Sequence, residues 1–160
     1  MRVLIIVFSL MFLSAAQATL AQTAAKTPVP ELDPGKKMLQ EVQSRIKTIS
    51  TEDLKRMIDN KEDFVLLDVR MPSDIDSMGW IDAPQQLEIA RGWIESRIFN
   101  HLDFKKDMNK PIVAYCGGGI RSAFAADTLQ QLGFKKVYNY DAGFFDWEAK
   151  GHPVKYKQKK

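Results

Sequence analysis

The sequence predicts an α/β fold in which a parallel sheet is covered by helices on both faces. Continuous apolar runs of strand length occur at 64–69 and at 111–115, and such runs are typical of strands buried on both faces. Helical patterns alternate with these runs, which indicates a parallel sheet. A chain of 160 residues with 45% apolar content is long enough for one such domain plus flanking segments.

Residues 1–21 have the pattern of a cleaved signal peptide. Arg2 gives a positive start, and residues 3–16 form an almost wholly apolar run that is short for a bilayer span. The small residues that follow allow cleavage after Ala18 or after Ala21, and both sites stay open. No cysteine near these sites could carry a lipid. The protein is therefore expected to be periplasmic or secreted, without a stable membrane anchor.

Residues 22–47 are expected to form a linker and a short N-terminal helix. The linker contains three prolines, and apolar residues then recur at helical spacing. This helix either packs on the domain or only leads into it. The folded domain is expected over 48–154. The basic run 155–160 is interpreted as a solvated tail, because no aromatic–basic platform for nucleic acid accompanies it.

The predicted domain begins with a helix and a buried strand. Ser50 is expected to cap the helix, with acidic residues in its first turn. Asp68 and Arg70 lie where the strand 64–69 ends, and the carboxyl ends of strands line the ligand crevice in open α/β sheets. We favour an ion pair between these two residues that braces the neighbouring loop.

Residues 71–91 show no continuous element pattern. Met78, Trp80 and Ile81 put large apolar side chains into a segment too short and broken for a core element. These side chains either plug the flank of the domain or rim the site, and both interpretations stay open. Apolar residues recur at helical spacing over 92–99.

The chain is organised around a glycine-rich loop that follows the second apolar run. That run ends at Cys116, the only cysteine, and a helical run begins at Ser122. Between them stand Gly117, Gly118, Gly119, Ile120 and Arg121. Glycines allow backbone N–H groups to turn inward, and the first turn of a helix adds unpaired N–H groups and a partial positive charge.

Such a loop predicts an anion site, and a thiolate or a persulfide is an anion. Arg121 is expected to add a full positive charge beside Cys116. The alternative is a buried and inert cysteine. We favour the functional interpretation because three consecutive glycines beside a thiol cost backbone entropy. In an exported protein, a single cysteine also forms no disulfide within its own chain.

After the loop, a helix is expected to end before Gly133. A strand over 136–140 and a short helix from Phe144 complete the predicted domain.

Three segments together resemble the single-domain rhodanese family. They are residues 64–70, the loop 116–121 and residues 141–154, so the resemblance covers the whole predicted domain. Its most specific element is cysteine-x-x-glycine-x-arginine, which Cys116, Gly119 and Arg121 match. The resemblance implies a rhodanese-like fold with about five parallel strands. It also implies thiosulfate or persulfide sulfurtransferase activity, with the sulfur stored on Cys116.

The resemblance assigns roles to the site residues. Cys116 and Arg121 are expected to be catalytic, and the residues expected to hold the persulfide are Gly117, Gly118, Gly119, Ile120 and Ser122. Asp68 and Arg70 are expected to be structural residues near the site.

The expected chemistry is a two-step transfer. The thiolate takes sulfur from a small anionic donor such as thiosulfate, and a thiol, cyanide or a protein cysteine then removes it. Neither step requires a metal or an organic cofactor, and we predict none. His101 and His152 are interpreted as surface residues, and no nucleic-acid partner is expected.

Two other functions are weighed against sulfur transfer. Cysteine-dependent phosphatases and arsenate reductases resemble rhodaneses in architecture, but they place one more residue between the cysteine and the arginine. Only four residues separate Cys116 from Arg121, so the loop is expected to be too small for a tetrahedral phosphate. The other alternative is a sulfur carrier or protein-binding module without significant turnover. The physiological donor and acceptor stay open.

Overall fold

The computed structural model describes residues 33–101 and 107–158. The predicted signal peptide and most of the predicted linker lie outside these residues. Within them the α-helices are α1 (Pro34–Gln43), α2 (Thr51–Asp59), α3 (Pro72–Met78), α4 (Ile94–Arg97), α5 (Ile120–Gln131) and α6 (Gly143–Ala149). Short 3-10 helices flank α4 at Arg91–Trp93 and Ile98–Asn100. The strands are β1 (Lys47–Ile49), β2 (Val65–Asp68), β3 (Trp80–Ile81), β4 (Gln86–Glu88), β5 (Ile112–Tyr115), β6 (Val137–Tyr140) and β7 (Val154–Lys155).

Five parallel strands form the central sheet, in the order β1-β6-β5-β2-β4. The middle strand β5 pairs on both sides, so that Ala114 lies opposite Leu67 of β2 and Asn139 of β6. The carboxyl ends of parallel strands meet at one edge, where ligands bind in open α/β sheets. The predicted α/β fold with about five parallel strands is confirmed.

Apolar side chains fill the space on both faces of this sheet. In β5, Ile112 and Ala114 join one core cluster, whereas Val113 and Tyr115 join the other. This division follows the alternation of side chains along a strand. Because both faces are covered, β5 is buried along its whole length, and it supports the loop that follows it.

The N-terminal helix α1 packs on the domain, which answers the question that its sequence left open. Val42 is buried in the core cluster that also contains Leu129 of α5. Arg45, just beyond α1, donates two hydrogen bonds of 2.6 and 2.8 Å to the carboxylate of Asp127 in α5. This guanidinium holds the pKa of Asp127 below its usual range.

The structure adds elements to two segments for which the sequence predicted no strand. The segment 71–91 is part of the fold, because it contains α3, β3 and β4, and β4 pairs with β2 over all three of its residues. Part of the basic run 155–160 also contacts the domain, although its described residues are exposed to solvent. Lys155 lies in β7 opposite Trp80, and Lys157 forms a 2.9 Å ion pair with Asp76.

Over residues 33–101 and 107–158, none of the helices combines the length and the apolar character that crossing a membrane requires.

Candidate active site

Cys116 lies at the carboxyl end of β5, in the middle of the sheet, and is only 2% exposed. It opens the cysteine loop, residues 116–121, which leads into α5. Gly119 has a φ of 82°, and a Cβ there would overlap the carbonyl oxygen of Asp141. Only glycine combines this conformation with so close an approach. The loop is therefore fixed against the segment that follows β6.

The N-terminus of α6 holds the other side of the cysteine loop. The amide of Phe144 donates to the carbonyl oxygen of Cys116 at 2.8 Å, and the amide of Phe145 donates to that of Gly117 at 3.1 Å. The C=O and N–H groups of a trans peptide point in opposite directions. The amides of Gly117 and Gly118 therefore point away from α6.

The three glycine amides of the cysteine loop point to a bound anion. In the part of the chain that the structure describes, the amides of Gly117, Gly118 and Gly119 donate to no protein acceptor. The amide of Ile120 differs, because it donates to the carbonyl oxygen of Gly118 at 3.1 Å. Buried backbone N–H groups are nearly always satisfied in native structures. Gly117 and Gly119 are buried, whereas Gly118 is exposed. Two buried and unpaired N–H groups directly after a thiol therefore indicate an anion site.

Ser122 places a hydroxyl next to the sulfur. Its Oγ lies 3.6 Å from the Sγ of Cys116 and 3.0 Å from the carbonyl oxygen of Gly119. A hydroxyl has one proton, so it donates to one of these acceptors at a time. Donation to the sulfur is charge-assisted when the sulfur is an anion. Ser122 is thus positioned to stabilise a thiolate or a persulfide.

The side chain of Arg121 forms an ion pair with Asp74 of α3. The two side chains meet at 2.9 Å from Nη1 to Oδ2, and both are partly exposed. The guanidinium of Arg121 holds the pKa of Asp74 below its usual range. The sequence predicted a full positive charge from Arg121 beside Cys116, and the structure adds that this charge is paired with the carboxylate of Asp74.

Asp68 and Arg70 form a second ion pair, and its side chains are fully buried. Arg70 donates at 2.9 Å from Nε and at 2.6 Å from Nη2 to the carboxylate, and at 2.7 Å to the carbonyl oxygen of Gly79. Its guanidinium carbon lies 4.1 Å from the centre of the Phe144 ring. The pair therefore braces the segment after β2 and supports the residue that binds the backbone of Cys116.

Sequence reasoning missed the contributions of α3 and α6 to the site. Asp74 lies in a segment without a continuous pattern. Phe145, which is 53% exposed, covers the loop so closely that a Cβ on Gly117 would lie 2.7 Å from its ring. The feature of the sequence that could have indicated this contact is Gly143, which lies between a strand and an aromatic run.

The structure shows no metal centre around these residues. Within 33–101 and 107–158, no group of three or more His, Cys, Asp or Glu side chains is arranged to hold a metal ion. His152 lies beyond the end of α6 and packs on Trp147, with 4.6 Å between the ring centres.

Comparison with known proteins places this fold and loop in a family. The family model described as the rhodanese-like domain matches residues 50–150. The chain belongs to this family. The match extends from the start of α2 beyond the end of α6, so it includes β5, the cysteine loop and both ion pairs of the site. The resemblance inferred from the sequence is confirmed.

Three similar proteins illustrate the relationship of this rhodanese-like protein to known proteins. It is 34% identical over 90 residues to the thiosulfate sulfurtransferase GlpE of Pseudoalteromonas translucida, covering 56% of this chain and 78% of that protein. The solved polysulfide-sulfur transferase homodimer of Wolinella succinogenes has a TM-score of 0.65 and 28% identity, covering 76% of this chain and 87% of that one. A protein of unknown function from Rhodopseudomonas palustris, described as a possible tyrosine phosphatase, has a TM-score of 0.64 and 33% identity, covering 76% and 93%. The first two names support sulfur transfer as the general activity of the family.

Proposed function

We propose that this rhodanese-like protein is an exported sulfurtransferase that carries sulfane sulfur as a persulfide on Cys116. The observation that supports this most directly is the run of unpaired amides at Gly117, Gly118 and Gly119, which follow the thiol in the loop. Each charge-assisted hydrogen bond to a bound anion contributes about 1.5–3 kcal/mol. A persulfide anion at this position would give these donors the acceptor that the described residues do not provide.

The reaction balances in two steps. The Cys116 thiolate attacks the outer sulfur of thiosulfate, the S–S bond of the donor breaks, and sulfite leaves with the bonding electron pair. Cys116 then carries the added sulfur as a persulfide anion. In the second step, cyanide, a thiol or a protein cysteine attacks this outer sulfur and regenerates the thiolate. Covalent storage splits the transfer into two separate displacements.

Within this scheme the protein orients and stabilises the sulfur. The bonds from α6 fix the carbonyls of Cys116 and Gly117, so that the following amides face the opposite way. Ser122 adds one hydroxyl at hydrogen-bond distance from the sulfur. These donors are already in place before reaction, so they stabilise the developing anion with little reorganisation. Thiosulfate and a persulfide are the donors that we propose.

A phosphatase is the competing enzyme class, because the similar protein from Rhodopseudomonas palustris is described as a possible tyrosine phosphatase. The loop favours sulfur transfer. It has only four residues between Cys116 and Arg121, and a phosphoryl group would compete with Asp74 for the guanidinium of Arg121. The competing non-enzyme function is a sulfur carrier or a protein-binding module with the same fold.

A panel of donors tests the proposed function. Purified protein is given thiosulfate, mercaptopyruvate, glutathione persulfide or an aryl phosphate, with cyanide as the acceptor for sulfur. We expect thiocyanate with at least one sulfur donor, none with Cys116→Ser, and no phosphate release. Sulfur uptake without turnover would favour a carrier. Hydrolysis of the aryl phosphate by the natural protein, or full sulfur transfer by Cys116→Ser, would contradict the proposal.

Export is tested separately by the N-terminus of the mature protein. The positive start and the apolar run of residues 1–21 lead us to propose cleavage after Ala18 or Ala21. Protein recovered from the exporting cell is expected to begin at Thr19 or Gln22. An intact Met1 in the mature soluble fraction would contradict export by this route.

A further inference from the structure

The ion pair of Asp74 with Arg121 joins two elements that are far apart in sequence. Asp74 lies in the first turn of α3, and Arg121 lies in the first turn of α5. Their side chains meet at 2.9 Å while remaining 30% and 42% exposed. Arg121 is the only charged residue of the cysteine loop. The loop's one full positive charge is therefore balanced by a carboxylate.

Two charged residues beside this pair, Arg70 and Asp141, add no free cation to the loop. Arg70 is buried and bound to Asp68. Ile120 and Phe145 are exposed apolar residues. Asp141, whose backbone lies against the loop, is exposed and acidic. A strongly charged sulfur donor that approaches these residues would therefore meet a balanced ion pair, an apolar surface and an additional carboxylate.

The two proposed classes of donor differ in the charge that must be accommodated. Thiosulfate is a dianion, and transfer of its outer sulfur to the Cys116 thiolate yields a persulfide anion and a sulfite dianion. A persulfide RS–SH yields Cys116–S–SH and RS⁻, and it brings no sulfonate group to the loop. An arginine binds an oxyanion through paired N–H donors. Because Arg121 already donates from Nη1 to Asp74 and its charge is balanced by that carboxylate, it should attract the dianion thiosulfate less than an unpaired arginine would.

We propose that Asp74 is a specificity-determining residue, which holds Arg121 away from the sulfonate of thiosulfate and so favours donors of the persulfide type. This inference rests on the proposed function of Cys116. It predicts that removal of the carboxylate releases the guanidinium for the donor and shifts the preference toward thiosulfate.

The test measures the second-order rate of Cys116 persulfidation by quenched intact-mass analysis, with thiosulfate and with glutathione persulfide. Asp74→Asn removes one charge at nearly constant size. We expect its rate with thiosulfate to rise about three- to tenfold, because one charge near a partly exposed site acts on a dianion. The rate with glutathione persulfide should stay within about twofold of wild type, because its carboxylates lie on the peptide part, away from the reacting sulfur.

Asp76→Asn is the matched control. Asp76 lies two residues further along α3 and pairs with Lys157 instead of Arg121. This variant makes the same change in net charge on the same helix, and we expect both rates to match wild type. Asp74→Glu keeps the carboxylate and is expected to keep the donor preference of wild type.

A double variant tests whether the gain requires Arg121. In an Arg121→Gln background, Asp74→Asn should produce a clearly smaller gain with thiosulfate, since no guanidinium remains to be released. Urea unfolding shows whether each variant is folded. Exposed ion pairs contribute little to stability, so the Asp74 variants are expected to fold.

The outcomes separate this inference from the proposed function. If neither donor loads wild-type Cys116, both are overturned. If wild type is loaded but Asp74→Asn changes the two rates by the same factor, the ion pair only supports the loop and the inference alone fails. An Asp76→Asn variant that reproduces the gain, or an Asp74→Glu variant that shifts the preference, would overturn it as well.

Discussion

Replacing Gly143 by alanine tests whether the N-terminus of α6 sets the geometry of the cysteine loop. Gly143 has a φ of 69°, and a Cβ there would lie 2.5 Å from the carbonyl oxygen of Gly117 and 2.8 Å from that of Cys116. Gly151 is a matched control, because it has a φ of 70° and a Cβ there would meet nothing within 4 Å. The two substitutions share the backbone strain and differ in the contact with the loop.

The structure gives an expected magnitude for each variant. An alanine in the left-handed conformation costs about 1–2 kcal/mol, and Gly151→Ala should lose that amount. In Gly143→Ala the loop must also move away, which breaks the hydrogen bonds from Phe144 and Phe145. Each contributes about 0.5–1.5 kcal/mol, so the total loss expected for Gly143→Ala is about 2–5 kcal/mol.

Urea unfolding measures the two losses, provided that the variants share one m-value. The rate at which Cys116 takes up sulfur is then measured in buffer without urea, where both variants are folded. We expect Gly143→Ala to load slowly and Gly151→Ala to load like wild type. Equal destabilisation of the two variants together with unchanged loading would refute the role of α6.

Two further substitutions test the ion pairs outside the loop. Arg70→Met leaves the buried carboxylate of Asp68 unpaired, so the free energy of unfolding should fall by about 3–5 kcal/mol, and adding Asp68→Asn should recover part of it. No recovery in the double variant would contradict this reason. Asp127→Asn tests the pair with Arg45, which lowers the pKa of Asp127 in the folded state. A lowered pKa contributes stability above the unfolded value of about 3.9, so urea unfolding should show wild type more stable at pH 7 and the difference lost as the pH falls below about 4. A difference that does not shrink as the pH falls below about 4 would contradict it.

The sequence predicted the strands that are buried on both faces along their whole length. β2 and β5 lie in apolar runs because both of their faces are covered. The edge strands β1 and β4 gave no such signal. Each has three residues, and only Ile49 in β1 and Leu87 in β4 are apolar. Their place in the sheet depends on pairing with a neighbour, which a short stretch of sequence does not record.

The candidate site was predictable where its residues are consecutive in the chain. The loop from Cys116 to Arg121 could be read directly, because a thiol, three glycines and a helix start stand next to one another. The hydrogen bonds from the amides of α6 could not be predicted, because almost any residue type can donate from its backbone. The partner of Arg121 was also hidden, because Asp74 lies 47 residues away and is brought close only by the packing of α3 and α5.

The central claim is that Cys116 stores one sulfur atom, and intact-mass measurement tests it most directly. The protein is first reduced, its single thiol is confirmed by titration, and it is then exposed briefly to thiosulfate or to glutathione persulfide. We expect the mass to rise by one sulfur atom with at least one donor, cyanide to remove that atom as thiocyanate, and folded Cys116→Ser to gain nothing. A wild-type mass that stays unchanged with both donors would contradict the account.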